Sequence, residues 1–255
     1  MGMNPASVES KGRDGRGAVD RFFLIMAVVL LIITAVGFAP TFYLRFLFEG
    51  PPLTTILVVH GVFSSLWVLV FVLQVALIHG SKVRHHRRIG PVAGAIAGAM
   101  LLSGLVLLHT IVRGAEDLAG GMAWIGPLVW GNLGILGAYG TFVGLGLWFR
   151  HRPEAHKRLM LLATVSIMGQ PIVRIGWIDA IRISDVRVTN DAIYGLAGFV
   201  VLLGAIIAYD FWSRGRPHRA VVFGAPALLG ALIFSGLLVP GTEVGRRFIL
   251  WWGGL

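Results

Sequence analysis

Residues 54–90 decide the fold of this chain: TTILVVHGVFSSLWVLVFVLQVALI (54–78) is followed directly by HGSKVRHHRRIG (79–90). The first stretch is almost wholly apolar and carries no charged side chain. About 20 apolar residues suffice to cross a hydrocarbon core of about 30 Å, so this stretch predicts a membrane-spanning helix. The second stretch carries Lys82, Arg84, Arg87 and Arg88, and such a basic loop is typical of the cytoplasmic end of a span.

Similar apolar runs recur along the chain and predict an all-α integral membrane bundle of seven transmembrane helices. The composition agrees, because only 13% of the residues are charged and the mean hydropathy is +0.80, whereas a soluble domain is about 25% charged. The runs are continuous and do not alternate, which disfavours a β structure. The predicted spans are Phe22–Phe42, Thr54–Ile78, Ile89–Thr110, Trp124–Trp148, Leu159–Ile178, Ala192–Trp212 and Ala220–Pro240.

Lys and Arg concentrate in the N-terminal tail and in every second loop, which predicts a cytoplasmic N-terminus and an outside C-terminus. The organisation predicted is a mobile cytoplasmic tail (1–21), a membrane domain (22–240) and an interfacial tail at the outer face (241–255). The functional core is predicted at about 54–178, and the location is the bacterial cytoplasmic membrane. Trp124, Trp148, Trp177 and Trp212 fall at predicted span ends, where amphipathic rings prefer to lie.

The net charge of +10 is explained by basic loops that face anionic lipid, so the bilayer is the predicted partner and nucleic acid is not. The chain has no cysteine, which excludes disulfides and thiolate sites. It also contains no hydrolase, kinase, nucleotide-binding or zinc-protease motif, and whether it is an enzyme stays open.

Polar side chains inside apolar spans are costly, so they are candidates for function. One group lies toward the outer face, and within it Gln170 and Arg174 share a helix face because they are four residues apart. Each member has a structural alternative, such as hydrogen-bonded packing for His60 or a position at the interface for His109. The group comprises His60, His109, Asn132, Gln170, Arg174 and Asp179.

Six of the eight histidines lie toward the inner face, where His86 and His156 each open a predicted span. The alternative for this group is a solvated position among the basic loops. Two glycine series, one in the third span (Gly90, Gly94, Gly98) and one in the fourth (Gly137, Gly140, Gly144), indicate close helix packing. They would also make room for a flat cofactor.

Histidines on facing helices are typical of bis-histidine haem ligation. The inner pair would be His86 and His156, with Arg87, Arg88, Lys157 and Arg158 as cationic partners for haem propionates. The outer pair would be His60 and His109, with Arg174 as the propionate partner. A quinone site is an independent hypothesis, because His60, Gln170, Arg174 and Asp179 supply donors, acceptors and a protonatable group.

Several short motifs between residues 54 and 178 resemble those of uncharacterised bacterial multi-pass membrane protein families. They are His60-Gly61, Gln74, His86-Arg87-x-x-Gly90 and His156-Lys157-x-x-Met160, followed by Arg174. These families are distantly similar to diheme transmembrane cytochromes b, in which histidines from four central helices ligate two haems. The fourth span of this chain has no histidine. A similar small family contributes to cytochrome oxidase assembly or haem handling.

The leading hypothesis is a redox-linked membrane protein that binds haem b, quinone or both, with other membrane redox proteins as partners. The ligands would be His60, His86, His109 and His156, and the polar partners Gln170 and Arg174. The alternative is a non-catalytic accessory subunit or assembly factor of a respiratory or photosynthetic complex. A solute transporter ranks last, because few polar residues lie at the midplane, where transporter sites usually lie.

Overall fold

The computed structural model describes residues 5–48, 52–175 and 187–254, with side chains from 21–48, 52–175 and 195–254. Within these ranges the chain forms nine α-helices and no strand, which agrees with the predicted all-α class. The helices are α1 (Pro5–Phe38), α2 (Thr55–His79), α3 (Val83–Arg113), α4 (Met122–Trp148), α5 (Pro153–Ser166), α6 (Gly169–Arg174), α7 (Arg187–Arg214), α8 (Arg219–Ile233) and α9 (Glu243–Gly253).

Six segments are helical, long and apolar enough to cross a membrane, and they match six of the seven predicted spans. Large apolar side chains are exposed on their outer faces, among them Leu102, Val201 and Phe223, as expected for helices that face lipid. Three of the four tryptophans predicted at span ends are exposed as well: Trp124, Trp148 and Trp212. The six segments are Arg21–Tyr43, Thr55–His79, Val83–Arg113, Met122–Trp148, Gly195–Arg214 and Arg219–Gly241.

The predicted fifth span, Leu159–Ile178, is not one continuous helix. It is divided into α5 with 14 residues and α6 with 6 residues, and the break lies at Ile167 and Met168. Pro171 has no N–H to donate to the carbonyl of Ile167, so the helical hydrogen-bond ladder is interrupted at this point. Trp177, Asp179 and the end of this span lie outside the described residues.

The core of the bundle surrounds α5. Leu161, Leu162, Ala163 and Val165 are completely buried, and α5 contacts α1, α4, α7 and α8. A helix that is buried on all sides needs no lipid-facing stripe. Its buried hydroxyl groups bond to its own turns, as Thr164 does to the carbonyl of Met160 at 3.0 Å.

Within the described residues, helices occupy most of the two segments that were predicted as tails. In the predicted mobile tail, α1 begins at Pro5 and continues into the first span without a break. In the predicted interfacial tail, α9 packs against α3 and α4 and buries Ile249 completely. The side chain of Thr242 caps α9 by accepting a hydrogen bond from the N–H of Gly245 at 3.0 Å.

Candidate functional site

The structure brings the two inner histidines together. His86 lies in the first turn of α3 and His156 in the first turn of α5, and both are partly buried. Their ring centroids are 6.2 Å apart, and the ring planes are inclined at 83°. Two residues 70 positions apart in the sequence thus form one cluster, which we call the inner histidine pair.

Backbone geometry fixes the ring of His156. Its Nδ1 lies 2.7 Å from the carbonyl oxygen of Gly146 in α4. A carbonyl oxygen only accepts hydrogen bonds, so Nδ1 carries a proton and donates it. In neutral His156 this leaves Nε2 with a free lone pair. A hydrogen bond of this kind at Nδ1 commonly orients a histidine that binds metal through Nε2.

The ring of His86 is held by Gln74 from α2. With its nitrogen toward His86, the Gln74 amide donates to His86 Nδ1 at 2.6 Å and accepts from the N–H of Gly90 at 3.2 Å. His86 then carries its proton on Nε2. A half-turn of the amide places the oxygen at Nδ1, which favours the other tautomer and leaves Nε2 free to ligate. The orientation of the Gln74 amide therefore determines which ring nitrogen of neutral His86 carries the proton.

The glycine series of the third span is open. A Cβ added at Gly90, Gly94 or Gly98 would meet no heavy atom within 4 Å. The predicted close packing of another helix on this face is therefore absent among the described residues. His86 lies on the same face, four residues before Gly90, so unoccupied space adjoins the inner histidine pair along α3.

The four cations predicted as propionate partners divide into two groups. Arg87 and Arg88 are exposed, and no described carboxylate pairs with them. Lys157 instead donates to Glu154 at 2.6 Å, and Arg158 is committed to a buried network. Only Arg87 and Arg88 therefore remain as partners for an anionic group beside His86.

Arg158 and Asp210 form a buried ion pair between α5 and α7. The side chain of Arg158 is 1% exposed and that of Asp210 is 0% exposed. Arg158 Nε donates to both carboxylate oxygens of Asp210, at 2.9 and 3.1 Å, and Nη2 donates to Oδ1. The N–H of His218 also donates to Asp210 at 2.7 Å. The pair therefore joins α5, α7 and the start of α8.

Glu154 extends this network to the surface. It accepts from Arg158 at 2.6 Å and from Arg214 at 3.2 Å. Partial burial alone would raise the pKa of the Glu154 carboxyl, but hydrogen bonds from Lys157 and Arg158 outweigh it and lower the pKa to about 2.

His218 caps the start of α8, where its Nδ1 accepts from the N–H of Ala220 at 3.1 Å. Burial and the guanidinium groups of Arg158 and Arg214 lower the pKa of His218 below its usual value. His218 is therefore neutral near pH 7, and it does not add to the positive charge of this end of the bundle.

The two outer histidines have different partners. His60 Nδ1 lies 3.2 Å from Ser103 Oγ in α3, and Nε2 lies 3.4 Å from Ser64 Oγ. His109 lies six residues beyond Ser103, or about 9 Å farther along the helix, and its ring tilts against Trp252 of α9 at 5.5 Å. Among the described residues, the two rings do not form a pair like the inner one.

Gln170 and Arg174 do share a face, as the spacing predicts, and they extend to α4. Arg174 Nη1 donates to the side-chain oxygen of Gln170 at 2.7 Å, and Gln170 donates to Asn132 at 3.0 Å. The guanidinium also lies 5.1 Å from the ring centroid of Phe38. These groups form a polar chain between α4 and α6 that is separate from His60.

Asp210 is not among the residues predicted for the site, although the sequence carries a signal for it. It is the only acidic residue in the apolar run Gly195–Trp212, and a lone carboxylate in such a run normally has a cationic partner. Trp252 and Ser103, which contact the outer histidines, gave no comparable signal, because a tryptophan near a chain terminus and a single serine inside an apolar helix are both common.

No known protein family, curated protein or solved structure matches this chain. The resemblance to diheme cytochromes b therefore stays a prediction. Among the described residues, no cluster of three or more His, Asp or Glu side chains is suited to a bare metal ion. The inner histidine pair offers only two imidazoles, which is the protein ligand set of a bis-histidine haem.

Proposed function

We propose that this chain is a redox-linked protein of the bacterial cytoplasmic membrane that binds one haem b between His86 and His156. In this proposal α5 and α6 together complete a seventh crossing, the N-terminus is cytoplasmic and the C-terminus is outside. The observation that carries the proposal is the convergence of two imidazoles from separate helices at 6.2 Å.

The separation of the two rings supports a shared iron. A metal–imidazole bond is about 2.0 Å, and the 6.2 Å between the ring centroids would leave room for one iron held by both imidazoles. The open face at Gly90, Gly94 and Gly98 provides space beside the pair.

The residues around the pair would prepare both imidazoles as ligands. Gly146 keeps the proton of His156 on Nδ1, and Gln74 does the same for His86 once its amide oxygen faces the ring. Arg87 and Arg88, which follow His86 in the sequence and are exposed, would bind the propionate carboxylates at the basic end of the bundle. Haem would supply one-electron chemistry, and the polar chain of Asn132, Gln170 and Arg174 is the candidate quinone site toward the other end.

The test is a reduced-minus-oxidised visible spectrum of the full chain, purified after expression with added haem precursor. We expect the sharp absorption bands of a six-coordinate b haem, and H86A and H156A should each abolish them. H85A and H151A are matched controls, because these exposed neighbours should leave the bands intact. A colourless wild-type protein, or bands that survive H86A and H156A, would refute the proposal.

An accessory or assembly role is the second candidate, and the open glycine face of α3 favours it. A partner helix could pack there as closely as small residues allow. Purification in mild detergent should then recover a larger complex from a colourless preparation. Bulky replacements such as G94L, which meet nothing within this chain, should release the partner.

A further inference from the structure

A groove lies between α4, α5 and α8, and His156 is not among the residues that line it. Its volume is about 730 Å³, within the range of about 300–1,000 Å³ typical of small-molecule sites. Its walls are apolar and include Leu145 of α4, Phe149 just after α4, Leu159 of α5, and Phe223 and Ala227 of α8. Phe223 is 71% exposed, so the groove opens toward the surroundings of the bundle.

One end of the groove is positively charged. Arg152 and Arg219 line it, and no described carboxylate pairs with either guanidinium. Glu154 lines the same end, but its charge is offset by Lys157, Arg158 and Arg214. This end of the groove therefore carries two guanidinium groups without a described carboxylate partner, and the rest of the groove is lined by apolar side chains.

The depth of the groove matches one leaflet of a bilayer. It extends from Arg219 to Ala227 along α8, and from Phe149, the residue after α4, back to Thr141 in α4. The ends of each segment are eight residues apart, which corresponds to about 12 Å of helix. Half of a hydrocarbon core of about 30 Å is about 15 Å, so the charged end lies at headgroup level when the walls lie among acyl chains.

We propose that this groove is a binding site for one anionic phospholipid. The phosphate lies between Arg152 and Arg219, and an acyl chain fills the channel between Leu159 and Phe223. The two guanidinium groups favour an anionic headgroup over a zwitterionic one. The groove also holds the acyl chain, which general attraction of lipid to basic loops would not do. The site is independent of the inner histidine pair.

The test is native mass spectrometry of the full chain in non-ionic detergent, with phosphatidylglycerol and phosphatidylethanolamine of identical acyl chains. We expect at least fivefold tighter binding of phosphatidylglycerol. The double variant R152Q/R219Q should weaken phosphatidylglycerol binding about 25-fold, since each basic residue near a membrane contributes roughly fivefold. The control K82Q/R84Q removes two exposed charges from the same end of the bundle and should leave binding unchanged.

A variant that keeps every charge tests the apolar part of the site. Ala227 is exposed, so A227W should fold and fill the groove, and it should reduce phosphatidylglycerol binding by itself. Equal binding of the two lipids, equal losses in R152Q/R219Q and K82Q/R84Q, or no effect of A227W would each overturn the proposal. A dimer that A227W dissociates while lipid binding persists would assign the groove to a second copy of the chain instead.

Discussion

Replacing Asp210 with Asn would separate the contribution of the buried ion pair to folded-state stability from the contribution of side-chain packing. Asn has the same shape as Asp and retains one acceptor, but it leaves the guanidinium of Arg158 without its buried counter-charge. That guanidinium is 1% exposed, so water cannot compensate. The remaining carboxylate partner is Glu154, whose side chain is 49% exposed.

The expected loss of stability can be worked from this geometry. Removing one partner of a buried ion pair costs about 3–5 kcal/mol, and the remaining contact with Glu154 places D210N near the lower end of that range. For a chain of this size, 1 kcal/mol corresponds to about 2–4 °C in Tm. We therefore expect Tm to fall by about 6–12 °C.

Intrinsic tryptophan fluorescence during heating in detergent is a suitable assay, because the chain has eight tryptophans and no cysteine for thiol dyes. The matched control is E243Q, which removes an ion pair whose carboxylate is 59% exposed and should therefore lower Tm much less than D210N does. The double variant R158M/D210L removes both charges and should be more stable than D210N. A Tm for D210N within 2 °C of the wild-type value would refute the reasoning.

Three further outcomes are expected. The pKa of Glu154 is about 2 in the folded state against an ordinary 4.5, so its contribution to stability is present above pH 4.5 and is lost as the pH falls toward 2. The Tm difference between wild type and E154Q should therefore shrink between pH 4.5 and pH 2. A Tm difference that stays constant over this interval would contradict the prediction. An added Cβ at Gly37 would lie 2.7 Å from the Cα of Pro171, so G37A should lower the free energy of unfolding by about 1–3 kcal/mol, measured by thermal unfolding. A Tm of G37A equal to that of the wild type would show that α1 and α6 can separate freely. Q74L removes the hydrogen bond to His86 and should weaken haem retention about 10- to 100-fold in a competition assay with apomyoglobin, and unchanged retention would exclude Gln74 as a positioning residue.

The six helices that are long and apolar enough to cross a membrane were predictable from the sequence, because each depends on local composition. Thr54–Ile78 is long, apolar and bounded by charges, and α2 differs from it by one residue at each end. The fifth span was predicted less well. It was expected to be continuous from Leu159 to Ile178, but the helix breaks at Ile167 and Met168, and Pro171 was the signal for that break. Residues 1–21 were predicted as a mobile tail, and α1 begins at Pro5.

The candidate site was predictable only in part, because its contacts join distant residues. The position of His86 and His156 at helix starts indicated that both lie at one end of the bundle, and the structure places them side by side. The same reasoning placed His60 and His109 at one level, but it could not reveal that each has a nearer partner. The partnership of Arg158 with Asp210, 52 residues away, depends on how α5 and α7 pack, and no local pattern contains that information.

The enclosure of α5 has a consequence for biosynthesis. Two of the helices that cover it, α7 and α8, leave the ribosome after it, and its first turns carry Glu154, Lys157 and Arg158. A nascent chain that ends before Asp210 would leave Arg158 without its buried counter-charge and with only the exposed Glu154 as a carboxylate partner, a state that opposes release of this segment into lipid. We therefore expect stable integration of α5 to require synthesis of α7.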